Sequence, residues 1–245
     1  MSDDIDYTIQ YQRWHNDTSE ELESDAKLYQ HWIGSIIKQH SADSKVLDYG
    51  CGFGSFVYYL KQYFLDVEGL DGSKHQVAVA KRNALPVEIL EVKEFSLWSA
   101  NSPNKYDVIF LLDVLEHVPV VEQINFLRIL VNTLKPGGVL YIKVPNANSL
   151  LANRWRYIDW THHSSFTEAS LDFVCLNSGL DNIEYFNDES SVKPRYWWLP
   201  RWGLRGFYLK SIYRAVWKLY LKAELGKQAE SISVGYNLFA RARKL

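Results

Sequence analysis

Val46-Leu47-Asp48-Tyr49-Gly50-Cys51-Gly52-Phe53-Gly54 reads as an apolar strand running into alternating glycines, and Glu68-Gly69-Leu70-Asp71 closes the next strand with an acid. A glycine loop after a strand lets backbone N–H groups approach a ligand closely, and an acid ending the following strand can hold two adjacent ribose hydroxyls. Together they predict a nucleoside-binding site. The dinucleotide fingerprint G-x-G-x-x-G requires a third glycine where this chain has Ser55. The loop therefore suits a nucleoside that carries no diphosphate.

Outward from this loop, strand-like runs at 45–49, 66–70, 87–92, 106–112 and 138–144 alternate with helical stretches near 55–64, 74–83 and 120–134. Such alternation predicts a parallel sheet with right-handed crossovers, whose ligands sit beyond the carboxyl ends of the strands. Asp48 to Gly54, Asp71, Glu94 and Asp113 all fall at those ends. Ahead of the core, residues 1–17 are polar and aromatic, and Thr18-Ser19-Glu20-Glu21 resembles a capping box opening a helix through about His40. Ile232-Ser233-Val234 to Ala242-Arg243 reads as a closing strand that pairs with 182–187.

The chain resembles the class I S-adenosylmethionine-dependent methyltransferases, whose first motif reads D/E-x-G-x-G-x-G. The likeness continues through Asp71, Tyr106-Asp107-Val108-Ile109, Asp113-Val114-Leu115-Glu116-His117-Val118, Leu134-Lys135-Pro136-Gly137-Gly138 and Phe166-Thr167-Glu168-Ala169-Ser170-Leu171. These motifs stand in the family's order over roughly residues 45 to 180. The resemblance implies an α/β Rossmann-like seven-stranded sheet, mostly parallel with an antiparallel last strand and helices on both faces. It implies S-adenosylmethionine as cofactor, with Asp48, Gly50, Cys51, Gly52 and Gly54 around its methionine and ribose portions and Asp71 on the ribose hydroxyls. Glu94 and Phe95 are expected at the adenine, and Asp113 borders the same site. The organisation expected is an N-terminal helical cover (1–42), a core (43–189 and 231–245), and an insertion (190–230) between the last two strands.

A sulfonium methyl is already activated, so the protein must align an acceptor and, for a hydroxyl, remove its proton. His117, His162 and His163 are the candidate bases: the first follows the fourth strand, and the other two lie in the polar loop Asp159 to Thr167. No H-E-x-x-H-like spacing points to a metal, and none is expected. The Asn/Asp-Pro-Pro-Tyr signature of amino-group methylation is absent, which favours an oxygen acceptor. Aromatic residues at 155–160 and 196–220 suit sugar rings, and the family resemblance points to a sugar hydroxyl of a surface-polysaccharide or glycolipid precursor. The rival acceptor is a quinone or phenol-like small molecule, and a non-catalytic cofactor-binding module is the second rival. Tyr11, Trp14 and His15 are read either as a lid over the cofactor or as ordinary aromatic packing.

Between Ser190 and Ala223 stand eight cations and no acids, so this stretch carries +8 in a chain of net charge −2. From Arg201 the cations recur every four or five residues among Trp, Tyr, Phe and aliphatic side chains. At helical period this gives a cationic stripe beside a broad apolar face. One reading lays 200–222 on an anionic membrane surface or a lipid-linked substrate. The other packs the apolar face on the core or on a second subunit, as in a homodimer, with the cations merely solvated. Nucleic acid ranks last as a partner and is not expected, given the slightly negative total charge and the lack of a recognition motif. At 245 residues and 47% apolar content the chain can bury one α/β core. It shows no secretory leader or membrane-length apolar run, so a cytoplasmic protein is expected, peripheral on the inner membrane if the helix is interfacial. Cys51 and Cys175 are expected as free thiols.

Overall fold

A computed structural model describes residues 19–186 and 203–245. Seven strands form one sheet in the order β3-β2-β1-β4-β5-β7-β6. They are β1 (Lys45–Tyr49), β2 (Asp66–Asp71), β3 (Val87–Ile89), β4 (Tyr106–Leu112), β5 (Leu134–Pro145), β6 (Leu180–Phe186) and β7 (Asn237–Lys244). The first five run parallel, while β7 is antiparallel to both β5 and β6. This is the predicted α/β class, with its reversed last strand.

Strands buried on both faces read as continuous apolar runs, and Val108-Ile109-Phe110-Leu111 at the centre of β4 is such a run. Alternate residues feed two cores. Val46, Val108, Phe110, Val139, Tyr141 and Phe239 face α1 (Ser19–Ile37) and α2 (Ser55–Leu60), where Ile33, Ile37 and Tyr59 are buried. Phe110, Tyr141 and Phe239 stack in a row across three strands, with centroids 5.0 and 5.9 Å apart. Leu47, Ile109, Leu111, Leu140, Ile142 and Ala240 face the opposite layer, formed by α4 (Phe95–Ala100), α5 (Gln123–Asn132) and α7 (Glu168–Leu176). Helix α3 (Lys74–Arg82) starts at Ser73, whose hydroxyl accepts the Gln76 N–H. Helix α7 starts at a capping box in which Thr167 and Ser170 accept each other's backbone N–H.

Several expected boundaries move. Strand β7 begins at Asn237 rather than Ile232, because 232–236 form a loop that carries Tyr236 beneath helix α8 (Gly203–Leu225). Strand β5 starts four residues early, pairing Leu134 with Tyr106 before an irregularity resets the register at Val139. A short helix, α6 (Ala152–Tyr157), interrupts the loop after β5. Tyr11, Trp14 and His15 lie outside the described residues.

Helix α8 departs from the reading that packs its apolar face on the core. Its cationic side meets the protein and its aliphatic side meets solvent. Lys210 and Arg214 lie 5.7 and 4.9 Å from the Tyr236 ring, Tyr213 hydrogen-bonds the Tyr236 hydroxyl, and Trp217 donates to the Asn148 carbonyl. Lys218 donates to the carbonyls of Glu230 and Ile232. Leu209, Ile212, Val216 and Leu219 are 59–68% exposed. The seam offers carbonyl oxygens and an aromatic face, which attract donors and cations rather than aliphatic side chains.

Candidate active site

The glycine loop joins β1 to α2, and its backbone is left-handed at Gly50, Gly52 and Gly54, with φ of 78°, 57° and 88°. Only glycine adopts such a run without strain. At Gly50 an added Cβ would also meet Val114 Cγ2 at 2.3 Å. The loop is anchored from β2: Gly50 and Cys51 donate to the Leu70 carbonyl, and Gly52 donates to Asp71 Oδ2 at 2.9 Å. Asp71 Oδ1 accepts the Ser73 N–H at 2.7 Å. Burial raises the Asp71 pKa, and those two N–H donors oppose the rise. Each carboxylate oxygen keeps a further lone pair for ribose hydroxyls.

Asp48 is 2% exposed, and its Oδ2 has no hydrogen-bond partner. Burial, with the nearby Asp71, pushes its pKa up to about 8. A buried carboxylate without a donor calls for a cationic ligand. The ammonium and sulfonium of S-adenosylmethionine answer that need, and the residues present therefore fit this cofactor. Tyr29 of α1, which sequence reasoning did not single out, contacts the Ser55 hydroxyl at the start of α2.

Of the remaining cofactor candidates, Cys51 is a buried free thiol, raised by burial. Glu94 is exposed at the start of α4, and Phe95 is buried against Tyr49, Trp98 and Phe126. Asp113 follows β4 in a left-handed conformation (φ 57°) and pairs with Lys143. A non-glycine residue held there is strained, a condition found at functional sites.

The turn Leu115–His117 meets the loop 159–163 at the carboxyl end of β4. His117 Nδ1 lies 2.7 Å from Thr161 Oγ1, and Thr161 Oγ1 donates to Asp159 Oδ1 at 2.6 Å. Because that hydroxyl proton is committed to Asp159, Thr161 accepts from His117 Nδ1–H. The Nε2 of neutral His117 then carries a lone pair. Burial and the neighbouring His162 lower the His117 pKa, which favours the neutral ring. His162 donates Nδ1–H to the Trp155 carbonyl, its ring centroid is 4.7 Å from that of His117, and its Nε2 is 4.0 Å from Glu116 Oε1. Glu116 is 1% exposed, its Oε2 lacks a partner, and burial raises its pKa well above the usual range. The structure thus unites His117 and His162, while His163 is exposed and contributes backbone contacts to Glu116 and Arg156. One ligand atom each from Glu116, His117 and His162 lie within 4.8 Å of one another, so the three could also hold a divalent cation. Linear spacing concealed this triad because its members come from two loops.

The family model described as "Methyltransferase domain" matches residues 19–185. The chain belongs to this methyltransferase family. Among solved structures, a SAM-dependent methyltransferase from Archaeoglobus fulgidus aligns over 98% of this chain and 100% of its own, with TM-score 0.65 and 17% identity. Phosphoethanolamine N-methyltransferase 2 of Haemonchus contortus, solved with S-adenosyl-L-methionine, aligns over 100% of this chain and 61% of its own, with TM-score 0.56 and 16% identity. At such identity these likenesses establish the methyltransferase fold. Curated relatives include ubiquinone biosynthesis O-methyltransferases. That of Aliivibrio fischeri is 34% identical over 107 residues, covering 42% of this chain and 45% of its own. The Stutzerimonas stutzeri protein is 29% identical over 121 residues, covering 48% and 50%. The chain spans about half the length of the curated relatives it matches. Its place in the methyltransferase family makes S-adenosylmethionine the cofactor.

Proposed function

We propose that this methyltransferase transfers the methyl group to a hydroxyl oxygen, with a quinone-type phenol as acceptor and His117 as the base. The observation that carries it is the Asp159–Thr161–His117 chain, which leaves His117 Nε2 unprotonated at the carboxyl end of β4. The cofactor supplies an activated methyl. His117 takes the acceptor proton, and the resulting imidazolium is stabilised through Thr161 by Asp159.

The sugar hydroxyl expected from sequence gives way as first choice, because the relatives' names carry ubiquinone biosynthesis rather than glycan assembly. Trp160 and Tyr157, 87% and 74% exposed beside the histidines, keep the sugar as second reading, since such faces also pack on sugar rings. No helix among the described residues is long and apolar enough to cross a membrane. A membrane-soluble phenol would instead be met at the surface, where the bare aliphatic side of α8 and the exposed ring of Trp160 suit an interfacial position. The test is transfer of labelled methyl from S-adenosylmethionine into host extract, separated into lipid, polysaccharide and small-molecule fractions. Label in a methoxylated phenol supports the proposal. Label in a methyl sugar after hydrolysis overturns it in favour of the second reading.

A further inference from the structure

At the end of the sheet opposite the glycine loop, a cavity of about 330 Å³ opens where β4 and β5 begin and β7 ends. Its charged lining is His40, Lys135, Arg241 and Arg243 against one acid, Asp107. We infer that this cavity binds a phosphate-type oxyanion carried by a phosphorylated small molecule, at a site separate from the methyl-transfer centre.

Lys135 consumes the one acid, holding both oxygens of Asp107 at 2.8–2.9 Å. Arg241 and Arg243 stand two residues apart on β7 and therefore share a face of the sheet, opposite Tyr141 and Val139. Like charges so placed repel, and the register of β6 sets Glu184 opposite Arg241 and Asp181 opposite Arg243. Arg241 has a partial answer, since one terminal nitrogen pairs with Glu184 at 2.7 Å and another reaches Gln39. Its Nε is nevertheless buried without a partner. The Arg243 side chain makes no hydrogen bond or ion pair among the described residues, and His40 has spent Nε2 on the Tyr141 hydroxyl at 2.8 Å. An oxyanion would supply what the cavity lacks, a multidentate acceptor for two guanidinium groups. The volume holds about ten waters at ~30 Å³ each, room for a diphosphate-sized group.

His40 provides an independent reading. Burial together with Arg241 and Arg243 lowers its pKa, opposed by Asp107, while Gln39, Lys135 and Tyr141 complete its surroundings. Bound negative charge between the arginines reverses that bias. The test is titration of the full chain with pyrophosphate, followed by calorimetry and by the His40 ring signal in NMR. Expected are saturable binding, at least tenfold weaker binding in R243Q, unchanged binding in the exposed control K222Q, and a His40 titration that moves to higher pH on saturation. Because Arg243 is exposed and unpaired, R243Q should fold like the parent chain, which its melting temperature checks. No saturable binding, equal affinity in R243Q and K222Q, or an unmoved His40 overturns the inference.

Discussion

Asp71 serves two masters at the residue scale. Its Oδ2 fixes the glycine loop through Gly52 N–H, and its remaining lone pairs are free in number to serve the ribose role proposed for it. D71A should therefore weaken S-adenosylmethionine binding by about 2–4 kcal/mol, read by calorimetry. It should also lower the melting temperature of the free protein, which a residue with ribose contacts alone would not do. G50A is expected to be worse for folding, since the left-handed φ and the 2.3 Å approach to Val114 cannot both be relieved without moving the loop. Circular dichroism should show that loss before any assay of activity. For His117, replacement by alanine should reduce turnover about 10²–10⁴-fold, as for other general bases, with cofactor affinity unchanged. T161V should reproduce part of that loss by freeing the imidazole tautomer, whereas H163A should leave turnover near the parent value.

At the element scale, α8 is governed by what lies beneath it. Periodicity correctly implies a helix with one cationic and one apolar side, but it carries no information about which side is met by protein. Tyr236 and the carbonyls of Asn148, Glu230 and Ile232 select the cationic side. Replacing Leu209, Ile212, Val216 and Leu219 together by serine should thus change the melting temperature little, because these side chains are already in water. The same variant should lose flotation with vesicles of anionic lipid if the helix meets a membrane. W217F removes one donor to Asn148 and should cost about 1 kcal/mol in denaturant unfolding.

For the whole molecule, the buried carboxyls Asp48 and Glu116, each with one oxygen lacking a partner, contribute to the response to pH. An acid whose folded pKa lies above its unfolded value holds its proton better when folded, so stability falls as pH rises between the two values. For Asp48 that window runs from 3.8 to about 8. The free protein should melt at progressively lower temperature across it, and saturating cofactor should flatten the decline by pairing the carboxylate with a cation. D48N should flatten it without cofactor. Scanning calorimetry from pH 5 to 8 checks all three.

Most strand segments, the glycine loop and the acid at Asp71 were legible in the chain because each rests on local rules. Continuous apolar runs make strands buried on both faces, left-handed turns demand glycine, and an acid ending a strand lies beside the loop of its neighbour. The Thr167 cap was likewise visible, since capping is a matter of residues three apart. What remained hidden depends on contacts between segments distant in sequence. Thr161 and Asp159 orient His117 across 44 residues, and His162, not His163, reaches Glu116 because the loop between Trp155 and Phe166 turns it there. The unsatisfied Oδ2 of Asp48 and the two arginines of β7 above Lys135 are likewise products of burial and register. By itself the sequence determined the fold class, the glycine loop and the helical period of α8. Tertiary structure alone decided which histidine meets the buried carboxylate, which side of α8 stays bare and where the cations converge, because desolvation and hydrogen bonding depend on neighbours that linear spacing does not reveal.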